Sequence, residues 1–261
     1  MMPAAARPWL ERIGALIPLV LFILAWQALP SLGIIDPAFL PSATAVLHAA
    51  LELGSDPSFY ADLGVTFLRS ILGLLLGAAL GVPLGAWMAV SRPVEGFFNP
   101  LLKATYSLPK TALVPLLILW LGIGTATNVV AVMLSTLLPL VVYSYHGVQG
   151  TPKILLWSAR AMGTGERDLM RLVMLPSAMH GILTGFRIAL GFSFVIAIAA
   201  EMIAANSGIG KLMFIYGENG AYAYMFAAVG AVVITAYLAD TAVAKTTEHI
   251  LRWQEPVEQT G

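Results

Sequence analysis

Cysteine is absent from the 261 residues, which excludes disulfides, thiolate metal sites and cysteine nucleophiles without deciding the compartment. Charge is scarce as well: Asp, Glu, Lys and Arg make up 11% of the chain, against about 25% in an ordinary soluble domain. Formal net charge is zero and no basic tract occurs, so the electrostatic footprint of a nucleic-acid binder is missing and nucleic acid is not expected as a partner. There is no Gly-x-x-x-x-Gly-Lys-Ser/Thr phosphate loop, so any ATP chemistry must come from another polypeptide. The four histidines, His48, His146, His180 and His249, are scattered without paired metal spacing, and no local Ser-His-Asp arrangement suggests a nucleophile. No catalytic residue and no metal site are assigned. No repeat of about 20 to 50 residues runs along the chain and its halves are not alike, which excludes a solenoid and removes the best sequence support for an inverted-repeat carrier.

What is abundant is apolar surface. Hydrophobic residues make up 59% of the chain and mean hydropathy is +0.84. A soluble fold cannot bury that much, so lipid is the expected solvent. At roughly 20 apolar residues per crossing, an all-α membrane protein of about six transmembrane helices is predicted, at 13–29, 65–90, 111–121, 128–145, 181–204 and 224–244. The third is short and interrupted by Pro109 and Pro115, so it either begins nearer Phe97 or is broken within the bilayer. Arg7 and Arg12 ahead of the first run give it the look of a signal peptide. The run is longer than an ordinary signal core and no small-x-small site ends it before Pro30, so a retained helix is expected, with a cleaved signal as the alternative.

With six spans, Arg7, Arg12, Arg92, Lys103, Lys110, Lys153, Arg160, Arg167, Arg171, Lys245 and Arg252 fall on one side. Only Arg69 and Lys211 fall on the other. The positive-inside rule makes the basic side cytoplasmic, with both termini there. In the second span Gly73, Gly77, Gly81 and Gly85 recur every fourth residue along one helix face. Close packing against another helix of the same chain is expected there, a place on a solute path being the alternative.

Between the fourth and fifth spans lies a polar segment, 147–180, longer than a simple turn needs. Thr151-Pro152 can open a helix over 153–162 that ends near Gly163, and a second helix can run from about Thr164 to a break at Pro176. A charged outer face is predicted from Lys153, Arg160, Glu166, Arg167, Asp168 and Arg171. On the residues alone this is equally a solvated helical hairpin on the membrane surface.

The stretch Trp157-Ser158-Ala159-Arg160-Ala161-Met162-Gly163, followed by Val173-Met174-Leu175-Pro176, resembles the EAA loop of binding-protein-dependent ABC importer permeases. That pattern reads Glu-Ala-Ala, three residues, Gly, nine residues, Ile-x-Leu-Pro. Ala159, Gly163, Leu175 and Pro176 match in register and Val173 stands for the isoleucine, while Trp157 and Ser158 replace the leading Glu-Ala. Leu40-Pro41-Ser42, the stretch from Leu183 to Gly191, and Ala200-Glu201-Met202 leading into Asn206-Ser207-Gly208-Ile209-Gly210 narrow the resemblance to the nitrate, sulfonate, taurine and bicarbonate branch.

The resemblance implies a type I importer fold, one permease domain over 1–261, with coupling helices in the loop at 147–180. It implies that Ala159, Met162 and Gly163 meet the ATPase, with Arg160 and Glu166 available for polar contacts, Gly163 allowing the change of direction and Pro176 ending the second helix. It also implies a homodimer in the bacterial inner membrane, two cytoplasmic ABC ATPase subunits that use ATP and Mg, and a periplasmic or lipid-anchored solute-binding protein. The solute would be a small anion such as an aliphatic sulfonate, taurine, nitrate or bicarbonate, moved by alternating access. An ion-coupled secondary carrier and a membrane enzyme or assembly factor are the rivals.

Within the membrane, Glu201 is an acidic residue deep in an apolar run. It either hydrogen-bonds the turn at 206–210 or marks an intramembrane site. Arg187 either snorkels to lipid phosphate or bonds the coupling loop, or else attracts an anion, and Asp240 is expected near the inner end of the sixth span. Ser135, Thr136 and Ser193, with neighbouring methionines, are the expected lining of the path.

Overall fold

The computed structural model describes residues 7–106 and 108–253, so residues 1–6, 107 and 254–261 of the expected single domain lie outside the described residues, as do the side chains of Arg7 and Arg12. The described chain is helical: α1 (Arg7–Ser31), α2 (Ala43–Leu53), α3 (Pro57–Val90), α4 (Arg92–Tyr106), a 3-10 turn (Lys110–Leu113), α5 (Val114–Leu121), α6 (Thr125–Gln149), α7 (Lys153–Ala161), α8 (Glu166–Leu169), a π turn (Met170–Met174), α9 (Leu175–Ala204), α10 (Ile209–Glu218) and α11 (Tyr222–Ile250). Four segments are long and apolar enough to cross a membrane alone: α3, α6, the continuous stretch Glu166–Ala204, and α11. A fifth crossing arises if α4 and the segment Lys110–Leu121 count as one span bent by 93°. The expected third span at 111–121 falls in the second arm of this bent pair. The first expected span falls in α1.

The chain packs as two compact units, one within Met1–Tyr60 and Leu212–Ala231, the other within Ala61–Lys211 and Val232–Gly261. In the first, α2 opens on Ser42, whose hydroxyl accepts from Ala45 N at 3.2 Å, an N-cap that satisfies one of the helix's free amides. Trp26 of α1 donates to Pro41 O at 3.0 Å and stacks 6.2 Å from Phe226. Tyr224 of α11 donates to Glu52 of α2.

In the second unit α6 is central. Val114 and Leu117 of α5, Ala131 and Val132 of α6, and Ile196, Ala197 and Ala200 of α9 form one buried cluster. Ala86, Val148 and Ala178 form another, packed by Met170, Met174, Leu175 and Ile182. Alanines recur in both, because between helices in lipid close approach supplies the attraction that water supplies in soluble cores.

The glycine stripe of α3 lies against α6 within the same chain. A Cβ at Gly73 would sit 2.5 Å from Val132 Cγ1, and one at Gly81 would sit 3.0 Å from Leu140 Cβ. At Gly85 it would strike the carbonyl oxygen of Val141 and approach Tyr145 N at 3.0 Å. Backbone atoms cannot rotate away, so Gly85→Ala is expected to force the helices apart and lower stability by about 1–3 kcal/mol. Gly64→Ala, which meets nothing within 4 Å, is the matched control and is expected to be neutral or slightly stabilising through helix propensity. Thermal unfolding of the purified protein in detergent checks the pair, and equal midpoints would refute the packing role.

Candidate functional site

The segment between α6 and α9 is tied down at its start by Thr151, buried, whose hydroxyl donates to Val148 O at 2.9 Å. Pro152 precedes the first turn of α7, where its missing N–H costs nothing. The end of α7 is a Schellman turn: Thr164 N donates back to Ala159 O at 3.1 Å and Gly163 N to Arg160 O at 2.9 Å. That geometry needs a left-handed residue, and Gly163 supplies it at φ +83°. The turn folds α8 back on α7, so that Arg160 Nε and Nη2 donate to the two carboxylate oxygens of Glu166 at 3.1 and 3.3 Å. Arg160 and Glu166 therefore bind each other on the surface, half and three-quarters exposed.

Ala159 and Leu169 are buried inside the chain. Outward stand Ile154, Trp157, Met162 and Leu172, each more than 60% exposed. The projection predicted as charged-faced thus also presents an apolar patch, and patches of that kind mark interaction surfaces. Trp157, which replaces the glutamate of the motif, is part of it. Among the resembling residues, Met162 and Gly163 are exposed and Ala159 is turned inward.

Pro176 does not end a helix. The chain runs without a break from Glu166 to Ala204, because the turn just before the proline is widened: Leu175 N donates to Met170 O, five residues back. This π turn accommodates a residue without an N–H and lets the axis continue. Val173 lies in that turn, and Leu175 packs on the cluster of Ala86, Val148 and Ala178. At 39 residues and 1.5 Å each, the segment is about 58 Å long, roughly twice the hydrocarbon thickness of a bilayer. One rigid element therefore joins the projecting loop to the membrane interior. The loop is also shorter than 147–180, since α6 reaches Gln149 and α9 starts at Leu175.

Ser135, Thr136 and Ser193 are buried, and each hydroxyl donates to a carbonyl of its own helix: Ser135 and Thr136 to Val132 O at 3.0 Å, Ser193 to Leu190 O at 2.7 Å. In the single chain they serve helix packing and line no cleft we describe, because a hydroxyl satisfied by its own helix can face a close neighbour without cost. Arg187 is held by Asp240, which the sequence placed near the same end of the bundle. Its Nε and Nη2 donate to Asp240 Oδ1 and Oδ2 at 2.9 and 2.7 Å, a two-pronged pair between α9 and α11.

Glu201 does bond the turn at 206–210, and more besides. Its Oε2 accepts from Gly210 N at 3.0 Å and from Thr66 Oγ1 at 2.8 Å, and its Oε1 accepts from Arg69 Nη1 at 2.8 Å. Arg69 also donates to Ser207 O at 2.7 Å and to Thr125 Oγ1 at 3.2 Å. Asp62 Oδ1 takes Gly208 N at 2.6 Å, and Thr66 Oγ1 takes Ile209 N at 2.9 Å. The first amides of α10 are thus satisfied by side chains of α3 and α9, a capping arrangement made across elements. Gly208, at φ +108°, leaves no room for a Cβ, which would overlap the Glu201 carboxylate. Arg69, expected on the outer side, is only 2% exposed. Asp62, Thr66 and Arg69 recur at helical spacing on one face of α3, a signal present in the sequence but silent without knowledge of what faces it.

Residues 81–245 match the family model described as binding-protein-dependent transport system inner membrane component. The chain is 27% identical to the taurine transport system permease protein TauC of Escherichia coli strain K12, over 92% of this chain and 89% of that one. It is 31% identical to the putative aliphatic sulfonates transport permease protein SsuC of the same organism, over 81% of this chain and 80% of that one. Among solved structures, an inward-facing MetNI methionine ABC transporter shares the fold with a TM-score of 0.67 at 20% identity, covering 75% of this chain and 99% of that one. With the matched segment containing both the Gly163 turn and the Glu201 node, the chain belongs to the family of binding-protein-dependent transport system inner membrane components, with the fold of a type I ABC importer permease.

Proposed function

We propose that this protein is the membrane-spanning subunit of an ATP-driven importer for a small organic anion of the aliphatic sulfonate or taurine type. It works in the bacterial inner membrane with both termini cytoplasmic, as a homodimer carrying two separate ATPase subunits, and receives solute from a periplasmic or lipid-anchored binding protein. ATP and Mg are used by the ATPases; this chain performs no covalent chemistry. Closure of the ATPases tilts the permease halves between inward-open and outward-open, so transport is alternating access.

The observation that carries the reading is the set of exposed apolar side chains Ile154, Trp157 and Met162 at α7, which the Gly163 turn joins to the continuous helix Glu166–Ala204. A docking surface needs such a patch, and a lever needs such a rod. The sulfonate and taurine class comes from the relatives. Purification of the tagged chain from its native membrane, with mass spectrometry of its companions, tests the reading. A stoichiometric ABC ATPase is expected. Recovery of the chain alone from gentle detergent, together with uptake driven by a proton gradient, would support a secondary carrier instead.

A further inference from the structure

Helix α4 turns a mixed face to the rest of the chain, with Val94, Glu95, Phe98, Asn99 and Leu102 partly covered and Lys103 exposed. Phe97 and Leu101 face outward, 65% and 50% exposed, and none of its residues is buried. Asn99, Leu102, Lys103 and Tyr106 line a cleft of about 560 Å³ whose other wall carries Tyr145 and His146 of α6 and Met88 of α3. The volume lies in the range of small-molecule sites.

Lys103 is the basic side chain of the aliphatic type in this lining, and like Arg92, Lys153, Arg167, Arg171 and Lys245 elsewhere it makes no ion pair among the described residues. Arg69 is neutralised by Glu201 and Arg187 by Asp240. Lys103, in contrast, has no ion pair or hydrogen bond among the described residues, and neither the Asn99 amide nor the His146 ring has a hydrogen-bond partner there. The nearby carboxylate of Glu95 is occupied by the hydroxyl of Tyr145, which also accepts from Gln149 Nε2 at 2.7 Å. A cation and an amide four residues apart on one helix face, opposite an imidazole, can take up an anionic head group. The apolar wall of Leu138, Val141 and Val142 can take a short hydrocarbon tail.

We propose that the cleft between α4 and α6 is an anion-binding station on the solute's route, in which Lys103 binds the anionic head of a short organic sulfonate, flanked by Asn99 and His146. The identity of the occupant rests on the importer reading above; the cleft and its free cation do not.

The absence of cysteine makes the test direct, since Asn99→Cys introduces the sole thiol of this polypeptide. In the transporter assembled with its ATPase, the labelling rates of an anionic sulfonatoethyl and a cationic trimethylammonioethyl methanethiosulfonate are compared. One unscreened lysine within about 7 Å predicts a preference of about tenfold for the anionic reagent. Adding Lys103→Gln is expected to remove the preference and Lys103→Arg to keep it. Ethanesulfonate is expected to slow labelling several-fold relative to chloride at equal ionic strength, but only while residue 103 is cationic. Labelling indifferent to ethanesulfonate, or slowed equally after Lys103→Gln, overturns the proposal. If no ATPase accompanies the chain, the importer reading fails while protection by ethanesulfonate can still be read. If the ATPase is present and protection is not, the cleft alone fails.

Discussion

Arg69→Met is expected to be the most destabilising single substitution among those considered, by about 3–5 kcal/mol, because it leaves the Glu201 carboxylate buried without its counter-ion. The carboxylate is fully enclosed, the guanidinium nearly so, and their 2.8 Å contact joins α3 to α9. Losing the arginine also frees Ser207 O and its hydroxyl, to which Arg69 donates at 2.7 and 3.1 Å, so the turn leading into α10 loosens with it. For a chain of this size the loss corresponds to a fall in unfolding midpoint of roughly 10 °C. Glu201→Leu alone is expected to be similarly harmful, since it strands Arg69, Thr66 Oγ1 and Gly210 N. The double variant is expected to recover part of the loss, because the two penalties share one cause. Thermal unfolding in detergent measures all three, and a wild-type midpoint for either single variant would show that the pair is not structural.

Gly163→Asp is expected to leave the protein inserted and monodisperse while abolishing ATPase stimulation and uptake. Two effects combine at this position. The left-handed φ of +83° imposes a strain of about 1–2 kcal/mol on most side chains, least on Asn and Asp. A carboxylate pressed into a docking cleft without a counter-ion costs a further ~3 kcal/mol, about two decades in affinity. Gly163→Asn shares the backbone tolerance and the shape but not the charge, so it isolates the second effect. We expect the Asn variant to keep most of the stimulation. Uptake retained by the Asp variant would remove Gly163 from the ATPase contact, and an Asn variant as poor as Asp would assign the defect to backbone geometry.

Both results bear on residues that differ sharply in legibility. Gly163 was readable from the chain alone: its place after a short amphipathic run and before a second polar run marks a helix end, and the EAA spacing gave it a partner. The glycine stripe of α3 was likewise legible from its four-residue period. Such features depend on neighbours in sequence, and the helical repeat converts them into geometry.

Arg69 was not legible. Counting charges by side put it at the outer end of the second span, yet α3 begins at Pro57, earlier than the apolar run, which carries Arg69 inside the bundle to meet a carboxylate 132 residues further on. Pro176 was misread as a stop because a proline's missing N–H is a local fact, whereas the π turn that absorbs it is made by the packing of Met170, Met174 and Leu175. Ser135, Thr136 and Ser193 looked like a polar lining because hydroxyls in an apolar run invite that reading. Whether a hydroxyl faces a cavity or bonds its own helix is settled by rotamer and neighbour.

The sequence by itself determined the solvent, the class of fold and the family, because hydropathy, charge asymmetry and motif spacing are sums over local residues. Only the tertiary structure decided which charges are spent on each other and which remain free. Arg69 with Glu201, Arg187 with Asp240 and Arg160 with Glu166 are cancelled, and Lys103 faces an open cleft. The physical reason is that the cost of a charge near lipid depends on what lies within about 4 Å of it, and in a helical bundle that neighbour comes from another helix.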